Sequence, residues 1–383
     1  MNVPIVAVAA DQPLQIAFVL NALTTGGAEI HTVGLARALV ARGHGCQLMP
    51  LLDDAQIDPR GLVVEPVNDN GLFHLAAHRR LGISLERYRP DVVVAVNGRP
   101  SSYAHLAQLL VGPRRRPIAT IYHTTKLLDF RQKLQHAAHL PFINRSDALV
   151  FVSANQQAHC TRHFMHGRRA LTIHNGVDGA RFRPAARALH REAMRARLGF
   201  RPDEYVIGQS AVFRPEKNHP QSLKALAALR ARGVPARLLL VGDGPGRTQI
   251  EDLAQTLGVA DAVYLAGRQA DVVPWLSVFD VGILTSTAIE TFSLAALEFM
   301  AIGVPAVLSD IGGASEMLAE GRTGYLFPVN DSPALIEALE ALADPILRKR
   351  MGDAAAAHVA RSFTLEKMVV SYEQLFFQLA GRC

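Results

Sequence analysis

The chain has 383 residues, 49% hydrophobic and 19% charged, which at about 150 residues per domain makes room for two or three domains with sizeable cores and excludes a disordered, fibrous or staple-held chain. The longest stretch without a charge, residues 12–28, contains Gly26, Gly27 and several polar side chains, so no segment is apolar enough to cross a bilayer as a helix. The formal charge of +6 is uneven, with 21 Lys and Arg against 12 Asp and Glu in residues 1–190 and 19 against 22 in residues 191–383; a basic first half suits phosphorylated ligands, an anionic membrane or nucleic acid without choosing among them.

The opening MNVPIVAVAA lacks a Lys/Arg stretch and leads into the first strand, so residues 1–12 read as an arm rather than a cleaved leader. Short apolar runs then alternate with helix-period segments, the pattern of βα units in parallel sheets. The first half predicts strands at 16–20, 47–51, 92–96, 118–121 and 148–152. A helix is predicted over 28–41, with Ile30, Val33, Ala36 and Val40 as its apolar face and Gly43 as its stop. From 178 to 203 the pattern breaks into an interdomain connection carrying a short helix. A second series follows, with strands at 205–209, 237–241, 262–265, 281–284 and 306–308 and helices near 220–231, 247–257 and 293–301. The last segment, 365–380, places Met368, Val369, Tyr372, Leu375, Phe376 and Leu379 at helical spacing and must pack against something. Cys46, Cys160 and Cys383 have no CxxC spacing, so neither a disulfide framework nor a zinc site is expected and a reducing cytosol fits. Two Rossmann-like α/β units joined in this way predict ligands at the carboxyl ends of both sheets, across a cleft.

Three strand-to-helix segments carry chemistry. In TTGGAE, Thr24 to Glu29, Gly26 and Gly27 let backbone N–H groups approach an anion, although a tight turn alone also explains them. This is not a GxGxxG fingerprint, which disfavours nicotinamide and flavin. In FRPEKNH, Phe213 to His219, Arg214 and Lys217 can face a diphosphate, though basic loop residues are more often only solvated. In IETFSLAALE, Ile289 to Glu298, seven residues separate Glu290 from Glu298 and a helix starts near Ser293. The N–H groups of Ser293 and Leu294 suit phosphate oxygens, whereas the two glutamates suit sugar hydroxyls.

These segments, with HNGVD (His174 to Asp178), VGDGP (Val241 to Pro245) and SDIGGASE (Ser309 to Glu316) in this order, resemble glycosyltransferase family 4, from about residue 16 to 377. The resemblance implies a retaining, nucleotide-sugar-dependent enzyme of the two-domain GT-B fold. Its implied domains are an acceptor-binding domain over 1–185, a nucleotide-sugar domain over 186–363 and a final helix over 364–383 returning to the first. By the same resemblance Glu290 binds donor-sugar hydroxyls, Glu298 the ribose diol, and Lys217 the diphosphate. The backbone at Phe292, Ser293 and Leu294 supports the phosphates, Gly27 lies against donor or acceptor, and His123 of IYHTT contacts the transferred sugar. Base identity falls to the loop around Gly267 and Arg268.

One departure concerns the Arg that many relatives carry five residues before the motif lysine, where this chain has Val212. Arg214 can substitute for it if both positions share one strand parity; with no second cation there, leaving-group stabilisation is weakened. The reaction implied is glycosyl transfer from a nucleoside diphosphate sugar, UDP in preference to GDP, to a hydroxyl of a glycan or lipid-linked acceptor. It belongs to cell-surface polysaccharide, lipopolysaccharide or glycolipid assembly. Lys217, Arg214 and the helix at Ser293 stabilise the departing charge. No cofactor or metal is expected, since the chain has no Asp-x-Asp pair. Basic clusters at Arg79–Arg80, Arg114–Arg116, Lys126, Arg131 and Lys133, beside Leu127, Leu128 and Phe130, read either as a solvated face or as peripheral docking of a cytoplasmic enzyme on anionic lipid. No nucleic-acid module accompanies them. The competing readings are a non-catalytic sugar-nucleotide binder, which the Val212 departure motivates, and a GT-B-fold sugar-nucleotide epimerase.

Overall fold

The computed structural model describes residues 12–24, 26–69, 75–112, 115–124, 130–288 and 290–382. Thr25, Arg114, the 126–128 segment and Ile289, all named above, lie outside the described residues. The chain divides into two compact units, residues 1–174 with 366–383, and residues 175–365.

The first unit is built on seven parallel strands, β1 (Gln15–Leu20), β2 (Gly45–Pro50), β3 (Val63–Val64), β4 (Val92–Val96), β5 (Ile118–Tyr122), β6 (Ala148–Phe151) and β7 (Ala170–Thr172), in the order β3-β2-β1-β4-β5-β6-β7. Central strands such as VVVAV of β4 are buried along their whole length, as parallel strands covered by helices on both faces must be. β3 and β7 escape the sequence pattern because they hold two and three residues, and neither is an apolar buried run. The helix after β1 spans Gly27–Ala41, and Gly43 follows it at φ 95°. Its buried face differs in part from the expected one: Val33 and Ala36 turn inward as expected, together with His31, Thr32, Leu35 and Leu39, whereas Ile30 is 48% exposed and Val40 37%. Both stripes satisfy the spacing of three and four, but the one containing Leu35 and Leu39 covers the sheet, and it carries His31 inside with it.

The helix Leu365–Leu379 buries Met368, Val369, Tyr372, Leu375, Phe376 and Phe377, and from Glu366 onward it belongs to the first unit. Glu373 fixes it there. One carboxylate oxygen accepts from His44 Nε2 at 2.8 Å and the other from Arg42 Nη2 at 2.8 Å. The Leu14 N–H donates to His44 Nδ1, so the proton that His44 gives to Glu373 is on Nε2. Those two partners hold the Glu373 carboxyl below its usual range despite burial.

The second unit has six parallel strands, β8 (Tyr205–Ser210), β9 (Ala236–Val241), β10 (Val263–Gly267), β11 (Val281–Leu284), β12 (Ala306–Ser309) and β13 (Gly324–Phe327), in the order β10-β9-β8-β11-β12-β13. β13 is the strand the pattern misses, a four-residue GYLF bounded by turns. This unit starts at Asn175 rather than at 186, because the Val177 N–H donates to the Phe363 carbonyl and the Leu365 N–H to the Val177 carbonyl, tying its beginning to its end. The expected connection is instead a 14-residue helix, Pro184–Arg197, integral to the unit. Arg187 donates to the carbonyls of Phe279 and Gly303, while Arg191 and Arg195 pair with the buried Asp280. Cations rather than apolar side chains dock this helix, which is why its sequence read as a linker.

In each sheet the strand order reverses direction at one place, between β1 and β4 and between β8 and β11. The loops leaving those strands at their carboxyl ends are where such sheets hold ligands.

Candidate active site

In the second unit, β8 leads through an irregular turn to a single 3₁₀ turn, Pro215–Lys217, and Asn218 then takes a left-handed conformation (φ 50°, ψ 44°) to start the helix His219–Ala231. Asn tolerates that conformation where most residues do not. The Lys217 carbonyl accepts from Gln209 Nε2 and from Thr285 Oγ1, and the Thr287 N–H donates to the Glu216 carbonyl. The loop after β8 is thus stapled to the loop after β11. Across the switch point the two loops put Lys217 Nζ 2.7 Å from Glu290 Oε2, with 22% and 14% of their side chains exposed. Ser286 Oγ donates to the same carboxylate oxygen at 2.9 Å.

Eight residues on, the helix Leu294–Ala301 begins, with Ser293 as its N-cap and the Ser293 hydroxyl accepting from the Ala296 N–H. The remaining first-turn N–H groups are left for another acceptor. The Phe292 carbonyl accepts from buried Asn175 Nδ2 at 2.7 Å, so the HNGVD run positions the start of this helix, a role its sequence did not announce. Glu298 lies one turn further along. Burial pushes its carboxyl up to about 7, and the Arg181 charge opposes that only in part.

The glycine runs hold these loops in place. A Cβ on Gly244 would come within 3 Å of Phe213 backbone atoms, so VGDGP packs on the segment that leads to Lys217. Gly312, at φ 62°, has the Glu290 carbonyl oxygen 1.6 Å from where a Cβ would stand, and the Gly313 N–H donates to the Thr291 carbonyl. Gly312→Ala is therefore expected to displace Glu290, lowering turnover by about 10²-fold and stability by more than the roughly 1 kcal/mol of a left-handed alanine. Gly321→Ala, at φ 68° in open space, should incur only the conformational cost. Thermal melts and turnover of the two variants check this.

Arg214 does not occupy the position the parity argument gave it. β8 ends at Ser210, so residues 212 and 214 lie beyond the strand and alternation no longer applies; Arg214 is exposed. Arg268, directly after β10, is also exposed, and the Gly267 carbonyl before it accepts from the Gly242 N–H beside VGDGP.

In the first unit, Gly26 is the N-cap of the helix after β1, and a Cβ there would meet the Glu29 carboxylate at 2.3 Å. Gly27 has nothing within 4 Å of its absent Cβ and no positive φ, so neither turn geometry nor packing requires a glycine at that position. His123 follows β5. Its N–H donates to Asn97 Oδ1 at 2.8 Å, and burial lowers its imidazole to about 4, so the ring is neutral near pH 7. Asn97 follows β4 at φ 70°, ψ −177°, a region populated almost only by glycine and costing about 1–3 kcal/mol. A strained residue whose side chain fixes the His123 backbone was invisible in the sequence, where Asn97 is only the residue before a helix.

Two family models match: glycosyltransferase family 4 over residues 25–181 and glycosyl transferases group 1 over residues 190–358. The N-acetyl-alpha-D-glucosaminyl L-malate synthase of Bacillus anthracis is 30% identical over 72% of this chain and 71% of its own. A D-inositol 3-phosphate glycosyltransferase of Streptomyces scabiei is 28% identical over 88% and 83%. Among solved structures, Anabaena HepE in complex with UDP and glucose matches with a TM-score of 0.83 at 20% identity, covering 94% of this chain and 99% of that one.

Proposed function

From a chain that belongs to glycosyltransferase family 4, with two parallel-sheet α/β units of the GT-B kind, we propose a retaining transferase that moves a sugar from a nucleoside diphosphate sugar to a hydroxyl of a glycan or lipid-linked acceptor. The observation that carries this reading is the 2.7 Å pairing of Lys217 with Glu290 at the switch point of the second sheet, one loop away from a helix N-terminus and Glu298. Cation, helix end and two carboxylates suit the parts of one ligand: diphosphate, sugar hydroxyls and ribose diol.

The chemical problem is charge, since a cationic sugar centre develops as a diphosphate leaves. Lys217 and the N–H groups at Ser293 and Leu294 stabilise the departing oxygens, a preorganised field that needs no proton transfer. Exposed Arg214 is the second cation assigned to them in this reading. Glu290 orients donor hydroxyls and is no covalent nucleophile, Glu298 receives the ribose diol, and Arg268 flanks the base. In the first unit Gly27 leaves room for the ligand and His123, held neutral, accepts or donates one hydrogen bond to the transferred sugar. Metal ions have no part in this scheme. UDP is preferred to GDP because Anabaena HepE, of the same fold, was solved with UDP.

A second feature supports work at a membrane surface on the cytoplasmic side. In the helix Phe130–Ile143, Phe130 is 80% exposed and Leu134 63%, with Arg131 and Lys133 exposed beside them, which suits shallow apolar contact with anionic lipid. The test of the whole reading is calorimetric titration against UDP, GDP and their sugars with EDTA present. Selective micromolar binding that Lys217→Ala and Glu298→Ala both weaken is expected. Absence of nucleotide binding would overturn the reading, binding without turnover over many acceptors would favour a non-catalytic binder, and release of an isomerised donor would favour an epimerase.

A further inference from the structure

Three side chains in the first unit own four buried polar atoms that have no hydrogen-bond partner among the described residues: His31 Nδ1 and Nε2, His123 Nε2 and the Tyr372 hydroxyl. The residues come from three distant places in the sequence, the helix after β1, the loop after β5 and the terminal helix. His31 is the middle member. Its ring stands edge-on to His123 with centroids 4.8 Å apart, and edge-on to Tyr372 at 5.7 Å. An unsatisfied buried donor or acceptor costs about 1–3 kcal/mol, and native proteins keep few of them. A polar occupant beside His31, the ring in contact with both others, would satisfy one atom of each side chain.

The chemistry of the groups says what it is. Burial lowers both imidazoles, and His123 further disfavours a proton on His31, so each neutral ring offers one N–H and one lone pair, and the phenol offers both. A water, with two protons and two lone pairs, can serve three such partners at once. His31 is 3% exposed and Tyr372 0%, so those two rings are closed to bulk solvent. We propose that His31, His123 and Tyr372 enclose one resident water, and that through it His31 and Tyr372 act as positioning residues that fix the tautomer and ring orientation of His123. Asn97 holds the His123 main chain from the other side, so the imidazole is constrained at both backbone and ring. The catalytic consequence rests on the proposed role of His123 toward the transferred sugar; the water and the tautomer do not.

The experiment therefore starts without substrate. A high-resolution crystal structure of the free protein should show one solvent peak within hydrogen-bonding distance of His31, His123 and Tyr372, and a dry cluster or direct bonds among the three would overturn the inference. Histidine side-chain ¹⁵N spectra should show His123 in a single tautomer, which becomes mixed in Tyr372→Phe, a change of one oxygen atom, and in His31→Phe. An unaltered His123 signal in Tyr372→Phe would overturn it as well. Where UDP-sugar turnover is present, both variants should lower kcat by about tenfold with the donor KM nearly unchanged, and His31→Gln should recover part of the loss. Equal losses in kcat and thermal stability with no recovery by His31→Gln would mark a merely structural role. Failure of the nucleotide titration leaves the crystal and tautomer results standing, so the two readings fail separately.

Discussion

Glu298→Gln should make the protein more stable and, at the same time, deprive it of its donor. The carboxyl sits near 7 when folded against about 4.5 when unfolded, so between those values the folded state holds the extra proton. Stability must fall as pH rises through that window and stay lower above it. At 1.36 kcal/mol per unit the cost is about 3 kcal/mol above pH 7, and the amide removes it, raising the melting temperature by several degrees at pH 8 and hardly at all at pH 4. Binding moves the other way. On the proposed assignment ribose hydroxyls donate to the ionised carboxylate, so wild-type affinity for UDP should strengthen as pH rises through 7, and the amide should weaken it by about ten- to a hundredfold. Paired melts and titrations across pH check both halves. A Gln variant less stable than wild type at pH 8 would show that unseen partners already stabilise the charge.

The second large effect separates two residues that touch. Lys217→Met removes the cation proposed to meet the leaving diphosphate, and kcat should fall by about 10²–10³ with UDP affinity reduced. Glu290→Gln should also abolish most turnover, yet bind UDP itself two- to fivefold more tightly. In the free protein Lys217 is engaged by Glu290 at 2.7 Å, a part-exposed pair worth about 0.5–1 kcal/mol that the diphosphate must displace. Opposite shifts in UDP affinity with parallel losses of turnover are the signature, read by calorimetry beside initial rates. Equal weakening in both variants would mean that the pair persists in the bound state.

Much of this architecture was written in local pattern. The long apolar strands announce themselves, and the Glu290–Glu298 spacing places both carboxylates about one helix. Elements held by something other than apolar periodicity stayed hidden. The helix Pro184–Arg197 is docked by Arg187, Arg191 and Arg195, so it read as a charged connection. β3, with two residues, is specified by its neighbour β2 rather than by itself. At the site, Asn175 acts through a single hydrogen bond across 117 positions that no motif spans, and Ser286 through one to Glu290 from just outside the motif. Asn97 acts through a backbone conformation that its side chain does not advertise. Ile30 and Val40 were misplaced for a different reason: two apolar stripes competed on one helix, and only the sheet beneath decides which is buried.

The tie between Arg42 and Glu373 joins residues 331 positions apart, and it has a cost during synthesis. At about 5–20 residues per second the partner of Arg42 and His44 leaves the ribosome on the order of half a minute after them. The intervening 175–365 unit is contiguous and can fold in that interval, while the first unit waits with the inner faces of His31 and His44 uncovered. The part of the chain made first is thus the part finished last, and a translation product ending before Glu366 carries a permanently open apolar seam. Chaperone demand in the cell should track that pause.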